Sequence, residues 1–220
     1  MDIQIRLEQP EDYREAEQVM REAFWNCYSP GCTEHYLLHV MRDSPNFLPE
    51  LDFVAVADGK IIGSVVLMKS HIISDDGKRH DVLSMGPIAV LPAFQRKGAG
   101  RMLIEHARAA AKDAGHRAIL LCGEPRYYTR VGFTAAERFG IRTSENKYSA
   151  ALHACPLYMD ALKNAAGRYL EDEIYNVDEA AARTFDALFP PKERLAGTPT
   201  QQRFKEILAM QKDYPPQPKD

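Results

Sequence analysis

Residues 83–114 constrain the fold most. An apolar run passes through Gln95-Arg96-Lys97-Gly98-Ala99-Gly100 into a stretch where Ala99, Met102, Leu103, Ala107, Ala110, Ala111 and Ala114 recur at three- and four-residue steps. That spacing gathers the apolar side chains on one helical face that must be buried, and Gly115 supplies the C-terminal stop. A strand that feeds a helix through a short glycine-bearing loop requires a helix packed on a sheet. Asp58-Gly59, between residues 53–57 and 61–67, carries the residue pair that a two-residue hairpin needs. Asp75-Asp76-Gly77 returns the chain again toward residues 82–90. At least three consecutive antiparallel strands therefore precede the helix that starts near Gly98.

Ile3, Ile5 and Leu7 alternate with polar residues as in a half-buried strand. Pro10 then opens a helix with Tyr13, Ala16, Met20, Ala23 and Phe24 on its apolar side. A short helix over residues 34–41 is followed by Pro45 and Pro49, which interrupt it and lead into the strand at 53–57. Residues 118–121 read as a buried strand, residues 125–131 as a short helix, and another strand follows from Phe133. Beyond Ala150 the composition shifts toward helix, with Ala181, Phe185 and Leu188 on one stripe and Phe204, Ile207, Leu208 and Gln211 on another. The end, YPPQPKD, is polar and proline-rich and is expected to be a mobile tail. The expected organisation is an α+β domain over residues 1–150 with a helical extension over 151–220.

The net charge of −3 gives no global pull toward nucleic acid or an anionic membrane, so any anion site must be local. An acidic start without an apolar signal core, and no apolar run long enough to span a bilayer, make the cytoplasm the expected location. Cys27, Cys32, Cys122 and Cys155 form no CxxC pair and have no histidine at ligand spacing. Reduced thiols, with no metal and no disulfide, are expected.

The hexapeptide at 95–100 is where such a local anion site belongs. Backbone N–H groups in the first turn of a helix have no intrahelical partner, and the helix dipole adds positive potential there. Gly98 and Gly100 remove Cβ atoms from the approach, and Arg96, Lys97 and Arg101 add charge. The nucleotide P-loop pattern GxxxxGK[ST] is absent, and so is the dinucleotide fingerprint GxGxxG. Solvated basic residues at an ordinary helix start are the simpler reading of the hexapeptide alone.

The context of this stretch resembles the GNAT superfamily of N-acetyltransferases. GPIAVLPAFQRKGAGRMLIEHA carries Val90, Pro92, Gln95, Gly98 and Gly100 in the pattern V-x-P followed by [Q/R]-x-x-G-x-[G/A]. Tyr128-Thr129-Arg130-Val131-Gly132-Phe133 matches a second element, Y-x-[K/R]-x-G-F, and the resemblance covers roughly residues 3–140, closest to a bacterial subfamily of uncharacterised members.

The resemblance implies a mixed, mostly antiparallel sheet whose central parallel strands splay into a V, flanked by helices. It also implies an acyl-coenzyme A-dependent enzyme that moves an acetyl group from acetyl-CoA to a primary amine by direct attack in a ternary complex. Main chain at Ile88, Ala89 and Val90 would pair with pantetheine like an added strand, and Gln95, Arg96, Lys97, Gly98, Ala99, Gly100 and Arg101 would hold the diphosphate. Glu124 stands where relatives often carry Asn and is carried over as a further coenzyme contact. Tyr128 holds the position of the acid that protonates the leaving thiolate. No Asp or Glu lies on residues 82–86, so a water chain or Glu124 remains for the base. Phe24, Trp25 and Tyr28 form either an acceptor wall or core packing. The acceptor is a small-molecule or protein amine, a homodimer is open, and an acyl-CoA-binding sensor without turnover is the rival.

Overall fold

A computed structural model describes residues 2–214. β1 (Gln4–Leu7) leads through a 3-10 turn at Pro10–Asp12 into α1 (Tyr13–Phe24), and α2 (Glu34–Met41) follows. Three long strands come next: β2 (Phe47–Ala57), β3 (Lys60–Ser74) and β4 (Arg79–Val90). The β2–β3 turn is the expected one, with Asp58 at φ 51° and Gly59 at φ 74°, the left-handed pair of a two-residue hairpin. Then come α3 (Ala99–Asp113), β5 (Ala118–Cys122), the single-turn α4 (Pro125–Tyr128), β6 (Thr134–Ala135), β7 (Ile141–Arg142), β8 (Lys147–Ser149), β9 (Leu152–Pro156) and β10 (Gly167–Leu170). The chain ends in α5 (Glu179–Asp186), α6 (Pro199–Ala209) and β11 (Gln211–Asp213).

The main sheet has nine strands in the order β1-β2-β3-β4-β5-β9-β6, with β10 pairing β3 and β7. Its pairs are antiparallel except β4–β5 and β10–β7. The mixed α+β architecture is thus the expected one. One face is covered by α3, whose Leu103, Ile104, Ala107 and Ala111 are fully buried against Phe53, Val65, Leu83 and Ile119. Burying each large aliphatic side chain contributes about 1.5–3 kcal/mol, so this face fixes α3, and with it the loop before α3, to the sheet. α1 and α2 cover the other face, with Val19, Met20, Leu38 and Met41 on Val54 and Val66.

Two features of β4 shape the centre. Its pairing with β5 stops at Leu83↔Ile119 and Ser84↔Leu120, so beyond Ser84 the parallel strands part. On its other edge the register jumps between Val65↔Ile88 and Leu67↔Met85, a bulge that opposes Gly86 and Pro87 to Val66. Together these open the V.

The sheet does not end near residue 150. β9 lies between β5 and β6, and β10 pairs β3, so both belong to the main sheet. Leu152–Ala154–Cys155 is a fully buried strand without alternation, and periodicity cannot separate such a run from buried helix. β2 starts at Phe47 and contains Pro49, which sits in a register irregularity between Phe47 and Asp52 rather than ahead of the strand. The buried stripe of the α5 region runs through Ala182, Asp186 and Phe189, whereas Leu188 is exposed. The expected mobile tail falls almost entirely on residues 215–220, outside the described residues, but Tyr214 stacks its ring under the Arg142 guanidinium at 3.7 Å.

Buried ion pairs tie the last helices to the first. Arg21, 1% exposed, donates to Asp186 Oδ1 at 2.6 Å, and Arg194 reaches the same carboxylate at 3.2 Å. Trp25 donates from Nε1 to the carbonyl of Glu193 at 2.8 Å. Among the described residues no helix is long and apolar enough to cross a membrane, and no group of three His, Cys, Asp or Glu is placed to hold a metal ion.

Candidate active site

Beside the V lies a cavity of about 410 Å³ lined by Ile88, Ala89, Val90, Gln95, Arg96, Gly98, Gly100, Arg101, Tyr127 and Tyr128. The loop before α3 is shaped by Arg96 at φ 60° and Gly98 at φ 96°, both in the left-handed region. Gly98 is the N-cap residue of α3 and no side chain caps it, so the first-turn amides remain open to an anion. Gln95 Nε2 donates to the carbonyl of Val90 at 3.1 Å and braces the loop on the strand. At position 100 any side chain would meet the Tyr127 hydroxyl, 2.9 Å from an added Cβ. The cavity thus joins an open strand edge to an uncapped helix N-terminus, the shape of a long chain that ends in an anion.

The expected coenzyme residues do not all converge there. Ala99 is 1% exposed and packs in the α3 core, so only its main chain is available. Lys97 stands with Nζ 5.4 Å from the Phe94 ring and is not part of the lining. Arg101 lines the cavity while its Nε pairs with Glu105 at 2.7 Å. Glu124 is turned away altogether. Its carboxylate accepts from Arg203 at 2.9 and 3.0 Å and caps the N–H of Arg126 at 3.2 Å. The Arg203 hydrogen bond, before all else, holds its pKa below the ordinary carboxylate value. A carboxylate tied in this way is a poor proton acceptor, and it lies on the neighbouring apolar cavity rather than on the one beside the V.

Tyr128 lines this cavity and packs against Gly123, which lines the next. Its ring lies flat against Gly123, where an added Cβ would overlap it. Tyr127 and Phe133 approach it edge-on, with ring centroids 5.1 and 5.7 Å away. Burial pushes the Tyr128 phenol well above its ordinary pKa, so it stays protonated throughout the neutral range. Beyond Gly123 is a mainly apolar cavity of about 370 Å³ whose lining includes Tyr28, Cys122, Ala151, Phe204 and Ile207. Tyr28 stacks on Phe204 at 4.4 Å, so of the expected aromatic wall Tyr28 lines a cavity. Trp25 instead anchors the chain near Glu193.

The sequence matches the acetyltransferase (GNAT) family over residues 17–133, more than half of the chain. The chain belongs to the GNAT acetyltransferase family. It is 27% identical over 173 residues, 78% of this chain and 98% of the relative, to the uncharacterized N-acetyltransferase YhbS of Escherichia coli strain K12. The crystal structure of the GNAT family N-acetyltransferase YhbS from Escherichia coli in complex with CoA matches with a TM-score of 0.71 at 26% identity, over 80% of this chain and 92% of that one. A GNAT family acetyltransferase from Brucella melitensis, in complex with acetyl-CoA, matches with a TM-score of 0.63 at 26% identity, over 79% and 98% of the two chains. The protein is accordingly an acyl-CoA-dependent acetyltransferase.

In this GNAT domain the sequence-level reading missed what the C-terminal region contributes. Arg203 and Phe204 of α6 reach Glu124 and Tyr28, and Tyr169 of β10 brings its hydroxyl to Ser84 at 2.5 Å. The acidic run Glu171-Asp172-Glu173 was the one local signal, and nothing in the sequence says which strand it faces. His35 and His153 are buried, and His153 Nδ1 lies 2.8 Å from the carbonyl of Ala151, a packing role.

Proposed function

We propose that this acetyltransferase binds acetyl-CoA along the open edge of β4, with the diphosphate on the N-terminus of α3, and transfers the acetyl group directly to a primary amine. The observation that carries the reading is the parting of β4 from β5 after Ser84 beside the uncapped α3 terminus and Tyr128. Main-chain groups of Ile88 and Val90 would pair with the pantetheine amides, and a main-chain N–H of β4 would meet the oxygen of the thioester as it gains charge. Gly98, Gly100, Arg96 and Arg101 would receive the diphosphate.

Attack forms a C–N bond and breaks C–S, leaving the electron pair on sulfur. A thiolate of ordinary pKa about 8.5 is stabilised by a hydroxyl that still carries its proton, and Tyr128 does. Burial disfavours a thiolate as it disfavours a phenolate, so a thiolate beside Tyr128 accepts its proton more readily than one in water. The apolar cavity beyond Gly123 would hold the body of the acceptor.

Calorimetry with coenzyme A, followed by thiol release from acetyl-CoA over a panel of primary amines, tests this. Binding with amine-dependent release is expected. Binding without release would instead support a sensor, and no binding would end the reading.

A further inference from the structure

The face of the sheet opposite α3 carries a hydroxyl chain at the vertex of the V. Ser84 is the last β4 residue paired with β5, and its Oγ lies 2.5 Å from Tyr169 Oη. The Tyr169 hydroxyl also lies 3.3 Å from Oε1 of Glu171. Beyond β10 the 3-10 turn at Glu173–Tyr175 folds back, and Tyr175 donates to the carbonyl of Gly86 at 2.8 Å, in the β4 bulge. Glu171 is held between these two anchors. It lines a cavity of about 260 Å³ together with Cys122, the residue at which this cavity meets the apolar one beyond Gly123.

The geometry fixes what Glu171 can serve. Tyr128 packs with the α3-side core, whereas Tyr169 packs with Val82 and Leu120 on the other face. A thioester threaded through the V from the α3 side is therefore open to attack from the side of Glu171. An amine of ordinary pKa about 10.4 arrives there as ammonium and must lose a proton before it can attack.

We infer that Glu171 is the general base that takes this proton from the acceptor, with Tyr169 and Ser84 as positioning residues that orient its carboxylate. The inference rests on the amine acetyl transfer proposed above. The ammonium proton passes to the Glu171 carboxylate and leaves to solvent from its exposed edge. After attack the nitrogen gives its second proton to Glu171, which has already released the first to solvent, and solvent restores the proton that Tyr128 gives to sulfur, so one proton is released for each acetyl group transferred.

The surroundings suit the role. Crowding by protein raises the Glu171 pKa above the ordinary carboxylate value, and the Tyr169 hydrogen bond partly opposes that rise. Among the described residues Glu171 has no ion pair. Asp172, Glu173 and Tyr175 on its own stretch and Cys122 of β5 line the smaller cavity with it and bring no positive charge. Glu171 also lines a larger groove with Asp43 after α2, Lys69 and His71 of β3 and Arg79 of β4, and Arg79 is taken up by Asp81 at 2.7 Å. Glu124, the acid next to Tyr128, is neutralised by Arg203.

The test uses the full chain with saturating acetyl-CoA and a panel of phenethylamine, spermidine and lysine methyl ester, followed by thiol release from pH 6 to 10. Glu171→Gln should lower kcat/KM for the best amine about a hundred- to ten-thousand-fold near pH 7, and the deficit should shrink toward the pKa of the amine. Its dissociation constant for coenzyme A should not change. Glu173→Gln, on the same cavity, should match wild type. Tyr169→Phe removes a hydrogen bond that stabilises the carboxylate, so the acid limb of its pH profile should move to higher pH, which a packing role would not do. An active wild type with an unaltered Glu171→Gln profile, or an unmoved limb in Tyr169→Phe, overturns the inference alone. A wild type that binds coenzyme A and acetylates no amine removes the parent reading and this one together.

Discussion

Tyr128 and Gly123 act as one unit, because the ring fills the space that any side chain at 123 would need. Tyr128→Phe keeps that packing and deletes only the hydroxyl. Turnover should fall about a hundred- to ten-thousand-fold in a single turnover with enzyme in excess, while the dissociation constant of coenzyme A stays near wild type. Tyr127→Phe is the control, and equal rates for Tyr128→Phe and wild type would remove Tyr128 from the chemistry. In the cradle, Gly98→Val forces a β-branched residue to φ 96° and Gly100→Val drives a side chain into the Tyr127 hydroxyl. Each should abolish the thermal shift given by coenzyme A, measured by calorimetry on the folded variants. These residues were legible because cradle chemistry is local: uncapped amides, glycines and a strand-loop-helix follow one another in sequence. Glu124 and Glu171 were not, because the Arg203 that neutralises the first and the Ser84 that holds Tyr169 beside the second lie far away along the chain.

At the scale of elements the same division holds. The β2–β3 hairpin and α3 were readable from a two-residue turn and a helical period, whereas β9 and β10 carry neither signal and owe their place to distant partners. Long-range placement also brings a buried acid pair together. Asp52 of β2 is 2% exposed beside Glu8, and Glu8 is held by Arg42 at 3.0 Å. Burial first, then the Glu8 hydrogen bond, raises the Asp52 pKa from 3.8 to about 9. The fold therefore binds a proton that the unfolded chain releases near pH 4, so this contribution to stability is full at low pH and declines as pH rises toward 9. His35 works in the opposite sense. Its pKa is lowered to about 4, chiefly by burial, and it costs stability as pH falls below 6.5. Asp52→Asn keeps the shape without the charge, so its melting temperature should exceed that of wild type more at pH 8 than at pH 5. An equal difference at both values in scanning fluorimetry would show that Asp52 is ionised in the fold.

For the whole molecule the question is which parts the acetyltransferase can lose. A chain cut after residue 150 lacks β9, which pairs both β5 and β6, and β10, which pairs β3 and brings Tyr169 to Ser84. It should not fold, and circular dichroism without a cooperative melt is the expected result. A cut after residue 197 is different, because the Arg21–Asp186 pair and the main sheet survive and only α6 and β11 are lost. That chain should fold and bind coenzyme A, since no residue of α6 lines the cavity beside the V. Ile207 is the one large aliphatic side chain of α6 that is buried, and losing its burial costs about 1.5–3 kcal/mol, a fall in Tm of roughly 3–12 °C. Saturating coenzyme A at a hundred times its dissociation constant adds about 2.7 kcal/mol to either chain, so the ligand-induced shift should be the same in both. Amine turnover should not be the same. Without Phe204 and Arg203 the apolar cavity loses a wall and the Glu124 carboxylate on its lining is left without its ion-pair partner, so KM for the acceptor should rise while coenzyme affinity holds. An unchanged acceptor KM in the shortened chain would mean that α6 covers the sheet and has no part in selecting the amine.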